Sequence, residues 1–488
     1  MKIDNREFFR LSFLYTAVAA FPPLLNLIIR PLIEGGNRLN PVDFSQIEIA
    51  ETITTFAFIV AIYSMGNAIS RFYYDVSGDR RAYNKLISSI FNTILLRGAF
   101  VLLAAIALSR QIGSLFSQPE LQDFSSYGFA SIIVGINRAV NMTAFALYRN
   151  EKKVRLFLIL SVILGVLRSG FQLAGVFYYD MSFIGYIYGN VAGSSLVTIT
   201  ILIYTWSRSG MHLDLKGMKP VNRFARPLFQ YALVAWGINF ADRYFLEGMP
   251  VALGIYSQAV ILGRGIEIIL QGLQGASQPE IFRLMHNDPG KNEGEIKRLS
   301  NLLMAQTQAL IGLAIIPAML YCLIFQTDLR LASGFIAIVF IRYLFRTQYI
   351  IFSMPVYFEK RTTIFLWLNL AVLIINLGLL YLLVPLMGIY GAITAFLFSQ
   401  AIQTGGLFLY QRRIIRIAWN LKKLLYYPFA MVIIAIAAEI AKESFQLDPF
   451  LSAGVVVLAI FLGLYLLYRN ELKKIISKGW KQLSSTGN

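Results

Sequence analysis

Apolar runs about twenty residues long follow one another through most of the chain, and no other feature constrains its fold as tightly. A helix needs roughly 20 apolar residues to cross a hydrocarbon layer about 30 Å thick. Runs of that kind lie at 9–30, 45–70, 86–108, 124–147, 156–178, 183–206 and 224–246. They continue at 251–276, 301–325, 331–355, 362–384, 389–410, 426–443 and 450–468. In lipid, backbone N–H and C=O groups must be satisfied within a helix or a closed barrel, and runs of this length are helical. The expected fold is therefore all-α and integral to the membrane, with about fourteen spanning helices. Only 14% of the 488 residues are charged and 57% are hydrophobic, whereas soluble domains carry roughly 25% charge. The connectors are short, so no soluble catalytic domain is inserted.

Charge in the connectors sets the expected orientation. The formal charge is +18, which taken alone would suggest nucleic acid. With the N-terminus inside, however, about 31 of the 44 Lys and Arg fall on the cytoplasmic side and roughly 4 (Arg38, Arg110, Arg330, Lys442) outside. Topology accounts for the positive charge, and nucleic acid is excluded as a partner. An even helix count with both termini cytoplasmic is expected. Lys2, Arg6 and Arg10 precede the first run as in a signal peptide. That run lacks a small-residue cleavage site and contains Pro22 and Pro23, so it reads as an uncleaved first helix. Cys322 stands alone, and His212 and His286 lie far apart in hydrophilic loops, which excludes a disulfide and argues against a metal site. No Gly-x-x-x-x-Gly-Lys-Ser/Thr loop is present, so the chain has no ATPase motor of its own. Gly78-Asp79-Arg80-Arg81 reads as a solvated basic loop.

An internal echo links the two halves. Residues 148–197 run as loop, helix, short turn and a Gly185-x-x-x-Gly189 entry, and 357–400 repeat that order through Gly388 and Gly391. Helices four to six then map onto ten to twelve in the same orientation, as in transporters with parallel repeats; chance similarity between apolar helices is the alternative. Prolines and glycines at Pro22-Pro23, Pro227, Gly237, Pro317 and Pro355 are candidate bending points.

About nine basic residues remain within or near the spans, all of them arginine: 30, 97, 138, 168, 226, 243, 264, 342 and 346. Arg30 and Arg226 lie near helix ends, where they can snorkel. Arg97, Arg138, Arg168, Arg264, Arg342 and Arg346 lie ten or more residues from at least one end, roughly 15 Å deep. A central arginine costs about 2.5–3.5 kcal/mol to insert, so several of them should line a hydrated cavity. Guanidinium stays charged and grips phosphate bidentately, which makes Arg138, Arg168, Arg264, Arg342, Arg346, Arg97 and Arg30 the candidate substrate-binding set for a pyrophosphate or an acidic sugar. The acids at depth are mainly Asp242 and Glu267, with Glu48, Glu51 and Glu247 nearer the outer boundary, too few to balance the arginines. Arg264, Glu267, Gln271, Gln274 and Gln278 form one seam at helical spacing, and Arg264 can pair with Glu267. Ser161, Arg168 and Gln172 share a face, as do Arg138 and Asn141, and Arg342 and Arg346. That last pair needs either an anion or an acid such as Glu267 or Asp242 between its charges. Asp242 beside Arg243 is either a site for a coupling ion or a structural ion pair.

Three sets of residues carry a family resemblance. They are Ile69-Ser70-Arg71-Phe72-Tyr73; Ala241-Asp242-Arg243-Tyr244-Phe245-Leu246 with Leu253-Gly254-Ile255-Tyr256-Ser257; and the run 369–391 with Asn369, Asn376, Pro385 and Gly388-Ile389-Tyr390-Gly391. Together they resemble the Wzx-type polysaccharide and O-antigen flippases of the multidrug/oligosaccharidyl-lipid/polysaccharide exporter (MOP) superfamily. The resemblance implies two six-helix lobes around a central cavity plus two C-terminal helices. The N-lobe would be 1–206, a cytoplasmic linker 207–223, the C-lobe 224–410, and the appended helices with a cytoplasmic tail 411–488. It implies a non-enzymatic flippase of the bacterial inner membrane that moves undecaprenyl-pyrophosphate-linked oligosaccharide to the periplasmic leaflet by ion-coupled alternating access. No cofactor is implied beyond a coupling H⁺ or Na⁺. The implied partners are the lipid-linked glycan, the membrane, a polysaccharide polymerase and glycosyltransferases. A lipid II flippase and a multidrug exporter of the same superfamily are the alternatives. A membrane-embedded polymerase would need a sizeable outer loop, and the longest outer connectors are only about 15 residues.

Overall fold

The computed structural model describes residues 21–485 apart from 37, 77, 181, 288 and 289. They form helices α1 (Phe21–Ile33), α2 (Pro41–Ile62), α3 (Met65–Val76), α4 (Arg80–Ala107), α5 (Ser109–Gly113), α6 (Pro119–Gln122), α7 (Phe124–Asn150), α8 (Val154–Ala174) and α9 (Phe183–Ser209). Then come α10 (Met218–Leu246), α11 (Pro250–Asn287), α12 (Glu293–Cys322), α13 (Ile336–Ile341), α14 (Tyr343–Phe358), α15 (Thr363–Met387), α16 (Ile389–Gln411), α17 (Tyr427–Phe445) and α18 (Pro449–Ser485). Among the described residues, 12 helical stretches are long and apolar enough to cross a membrane. They coincide with twelve of the fourteen expected spans. Much of the expected first span, 9–30, lies outside the described residues, and its remainder is the short apolar helix α1. The expected seventh span is a helix of 29 residues, α10. Arg226, Asp242 and Arg243 make it too polar to qualify by composition, and two of those charges prove to be matched inside the protein.

The chain divides into two compact units. The first comprises Met1–Ser257, Phe325–Leu329 and Phe365–Ala395. The second comprises Gln258–Ile324, Arg330–Ile364 and Phe396–Asn488. The centre of the first unit is α7, which packs on α2, α3, α4, α8 and α9. Its small residues explain that position: a Cβ on Gly135 would lie 2.5 Å from the Thr54 carbonyl oxygen, so α2 touches α7 backbone to backbone. Some 72% of the α7 window is buried, against 22% for α15. Within the second unit, α12 packs on α13, α14 and α18, and α17 on α13 and α18. Gly312 of α12 receives the Phe461 ring of α18, and the Tyr427 hydroxyl of α17 donates to the Ala459 and Ile460 carbonyls at 3.0 Å.

Helix ends follow local chemistry. Asn40 caps α2 by accepting from the Val42 and Asp43 amides, the Asp43 carboxylate accepts from the Asn40 amide, and Pro41 starts the helix. The two glycine-bearing hairpins of the internal echo are both close helix crossings. A Cβ on Gly189 of α9 would lie 2.1 Å from the Phe171 carbonyl oxygen, and one on Gly391 of α16 would lie 2.3 Å from that of Leu383. Gly189→Val is expected to lower folded yield and to destabilise by about 1–3 kcal/mol through overpacking. Thermal unfolding in detergent checks this; a wild-type melting temperature would show that the crossing tolerates a side chain.

The prolines named as candidate bending points lie within helices, and the helix breaks are elsewhere. Pro227, Pro317 and Pro355 lie inside continuous helices, and Pro22 and Pro23 lie in the first turn of the described part of α1. The breaks are at Tyr63–Ser64, both left-handed (φ 44° and 58°), and at Arg342 between α13 and α14. The expected linker 207–223 holds no long free loop. Ser88 of α4 accepts from the His212 amide and donates to the Gly210 carbonyl, both at 2.7 Å, and Ser89 accepts from the Asp214 amide at 2.9 Å. Asp214 accepts from the Gly217 amide and pairs with Lys85 at 2.9 Å, contacts that hold its carboxyl below the usual range.

Candidate functional site

The membrane-depth arginines fall into three environments, and neighbouring chain rather than depth separates them. The first is a buried charge cluster in the first unit. Arg30 of α1 donates to Glu48 of α2 at 3.0 Å, with its guanidinium 5.1 Å from the Phe44 ring centroid. Arg243 of α10 lies 3.6 Å from the second Glu48 oxygen and 2.8 Å from Asp242. Asp242 also accepts from the Tyr256 hydroxyl of α11. All four charged side chains are 4% exposed or less. Among the described residues two arginines face two carboxylates, and their contacts clasp α1, α2, α10 and the start of α11. Arg30, expected in the substrate-binding set and otherwise read as an interfacial anchor, is here a buried ion-pair partner. Asp242 sits in the ion pair that was one of its two readings. Nearby, the Trp236 indole donates to the Thr52 carbonyl and the Tyr244 hydroxyl meets Thr52 Oγ1 at 2.7 Å, adding neutral links between α2 and α10.

A second group shares acids in more open surroundings. Arg138 of α7 pairs with Glu51 at 3.0 Å with side-chain exposures of 43% and 20%, and its guanidinium lies over Phe58. In the second unit Arg346 donates to Glu267 from Nε and Nη2 at 3.1 and 3.0 Å. Of the two explanations for the Arg342–Arg346 pair, an acid therefore serves Arg346. Glu267, expected to pair with Arg264 on its own helix, gives its carboxylate to α14 instead and accepts from Gln271 at 3.4 Å. Gln274 donates to Gln278 at 3.3 Å, so part of the polar seam is joined along α11. Arg342 donates to the Tyr343 hydroxyl at 3.2 Å and lies 5.1 Å from the Phe396 ring centroid. Arg264 is half-buried on the same helix as Glu267.

The third group has no acid. Arg97 of α4 is half-buried, donates to the Asn222 side-chain oxygen at 2.7 Å and stacks 4.2 Å from the Tyr63 ring centroid. Its other terminal nitrogen is buried without a hydrogen-bond partner. Arg168 of α8 is half-buried with its Nε likewise buried and unpartnered. One turn on, the Gln172 amide is fully buried and satisfies neither its oxygen nor its nitrogen. Asn141, by contrast, accepts from Thr198 at 3.1 Å. Among the described residues no carboxylate lies within ion-pair distance of Arg97 or Arg168.

Sequence reading missed Tyr63. The left-handed break at Tyr63–Ser64 costs about 1–3 kcal/mol per strained residue and turns that ring into the platform under Arg97, stacked on Phe229 at 4.4 Å between centroids. No proline marks the break, so hydropathy carried no sign of it. Glu34 was also missed. Its carboxylate accepts from the Gln326 and Thr327 amides at 3.0 and 2.6 Å, and Glu247 does the same for the Ser117 and Gln118 amides.

No protein-family model matches the chain, and no curated protein sequence matches it. Solved structures do. "Lipid II flippase MurJ, inward closed conformation" is 14% identical with a TM-score of 0.68, covering 94% of this chain and 100% of that one. A MOP superfamily transporter from Pyrococcus furiosus is 12% identical at a TM-score of 0.62, covering 83% and 94%. A multidrug resistance MATE family transporter in an inward-facing conformation is 13% identical at 0.62, covering 80% and 94%. The chain has the all-helical membrane fold of the MOP superfamily transporters.

Proposed function

We propose that the protein is a flippase for a lipid-linked, pyrophosphate-bearing oligosaccharide, moved from the cytoplasmic to the periplasmic leaflet by alternating access. The observation that carries this reading is the pair Arg97 and Arg168, half-buried guanidinium groups that no described carboxylate neutralises. A buried cation without a counter-charge is costly, and an anion that arrives and leaves is the partner such groups suit. Diphosphate presents oxygens that a guanidinium fork holds in pairs. Arg138 adds cationic character within the first unit, tempered by Glu51, and Arg346 does so within the second, tempered by Glu267. Asn222 and Tyr63 position Arg97. In this proposal the lobes are 1–206 and 224–410, both termini are cytoplasmic, and an H⁺ or Na⁺ gradient supplies the energy.

Lipid II is the second reading, favoured by the MurJ likeness over 94% of the chain. Lipid II also carries a pyrophosphate, so Arg97 and Arg168 serve both substrates equally. A multidrug exporter of cationic compounds fits poorly, since unmatched arginines repel a cation. The purified chain in proteoliposomes, offered an undecaprenyl-pyrophosphate oligosaccharide, lipid II and a cationic dye in separate assays, distinguishes the three. Flipping of either pyrophosphate lipid without dye transport is expected. Dye transport alone would refute the anionic-substrate reading.

A further inference from the structure

We propose that the first unit carries a second anion site, a phosphate-binding pocket at its basic end, separate from the membrane-depth arginines. A cavity of about 410 Å³ opens where α4 begins, α7 ends, α8 begins and α9 ends, within the ~300–1,000 Å³ range of small-ligand pockets. Its charged lining is Arg80, Lys153 and Arg208 against one acid, Glu151. That acid is already engaged: Lys153 pairs with it at 2.6 Å and the Tyr83 hydroxyl donates to it. Arg80 and Arg208 keep their charge, with no carboxylate in ion-pair range among the described residues. The Arg208 guanidinium stacks 4.8 Å from the Tyr204 ring centroid, with the Lys153 ammonium 5.9 Å from it. Tyr204 therefore braces both cations beside the cavity.

A second observation points to a ligand. Tyr148 lines the same pocket, is 1% exposed, and its hydroxyl makes no well-formed hydrogen bond, with only the Thr205 side chain beside it. Leaving such a group unsatisfied costs about 1–3 kcal/mol. A ligand oxygen would accept from it while Arg80 and Arg208 supply the charge. The site thus pairs two free guanidinium groups and a buried phenol around a space large enough for a phosphate ester. All four helix termini lie next to the lysine- and arginine-rich connectors, the end that the charge rule assigns to the cytoplasm. Basic pockets between helices on that side suit anionic lipid headgroups. The shared chemistry is a phosphate mono- or diester, from an inner-leaflet lipid or from a free phosphate compound.

Native mass spectrometry of the detergent-purified full chain tests this, with phosphatidylglycerol, phosphatidylcholine and inorganic phosphate as probes. Wild type is expected to retain phosphatidylglycerol about tenfold better than phosphatidylcholine, the size expected for one charge-assisted contact. Arg80→Gln with Arg208→Gln should abolish that preference, and Arg298→Gln, a basic residue elsewhere, should leave it intact. Displacement of the bound lipid by inorganic phosphate would assign the site to free phosphate; retention in its presence would assign it to the headgroup. Should the double variant misfold, Tyr148→Phe decides, because it removes only the buried hydroxyl and leaves the ring in place. Weaker retention supports the site, whereas unchanged retention, or equal binding of the two lipids by wild type with no response to phosphate, overturns it.

Discussion

Arg168→Ala and Arg97→Ala are each expected to cut transport of the pyrophosphate lipid by about 10- to 100-fold, the equivalent of one lost charge-assisted contact of roughly 1.5–3 kcal/mol. Both side chains are positioned without a carboxylate, so their removal strands no acid and the fold should survive. Lysine should restore charge but not the planar fork, leaving transport between wild type and alanine. For Arg97 a further loss is specific to the fork, because the guanidinium donates to Asn222 while stacking on Tyr63. Surface-polysaccharide export in a flippase-deficient strain, read beside membrane abundance of each variant, checks this. Full export by both alanine variants at normal abundance would defeat the cationic-site reading.

The charge cluster should respond in the opposite way, through folding. Glu48→Ala leaves Arg30 and Arg243 buried with Asp242 as the remaining acid among the described partners, and is expected to destabilise by about 3–5 kcal/mol. Asp242→Ala should do the same, since Arg243 and the Tyr256 hydroxyl both lose an acceptor. Removing a whole pair, Arg30→Leu with Glu48→Leu, should cost less than Glu48→Ala alone, because among the described partners Arg243 keeps Asp242 and Arg30 is no longer left as a buried charge. Thermal unfolding of the detergent-solubilised variants measures the order. A double variant less stable than the single one would show that the cluster does more than balance charge.

Arg30 and Arg168 illustrate why depth alone could not sort the arginines. Both lie in apolar runs, Arg30 near a helix end and Arg168 deep, yet the arginine near the end is the one buried against a carboxylate. Their difference comes from Glu48, which reaches Arg30 from the next helix, and from helix rotation, which leaves Arg168 beside Gln172 and away from any described acid. Glu267 makes the same point. Helical spacing placed it within reach of Arg264, yet it pairs with Arg346, 79 residues along the chain, because packing brought α14 against that face.

What the sequence by itself determined is the set of properties that sum along the chain. Twelve apolar stretches recur at the expected positions because crossing lipid requires length and apolarity and little else. The close α8–α9 and α15–α16 crossings were legible as glycines at i, i+3 and i+4 spacing, since only a missing side chain permits backbone contact. Tertiary structure alone decided which arginines are matched, where α2 and α3 break at Tyr63–Ser64, and how Arg80, Arg208 and Tyr148 come to line one cavity. Those features depend on side chains distant in sequence meeting in a particular rotation, and a one-dimensional pattern of polarity holds no record of rotation.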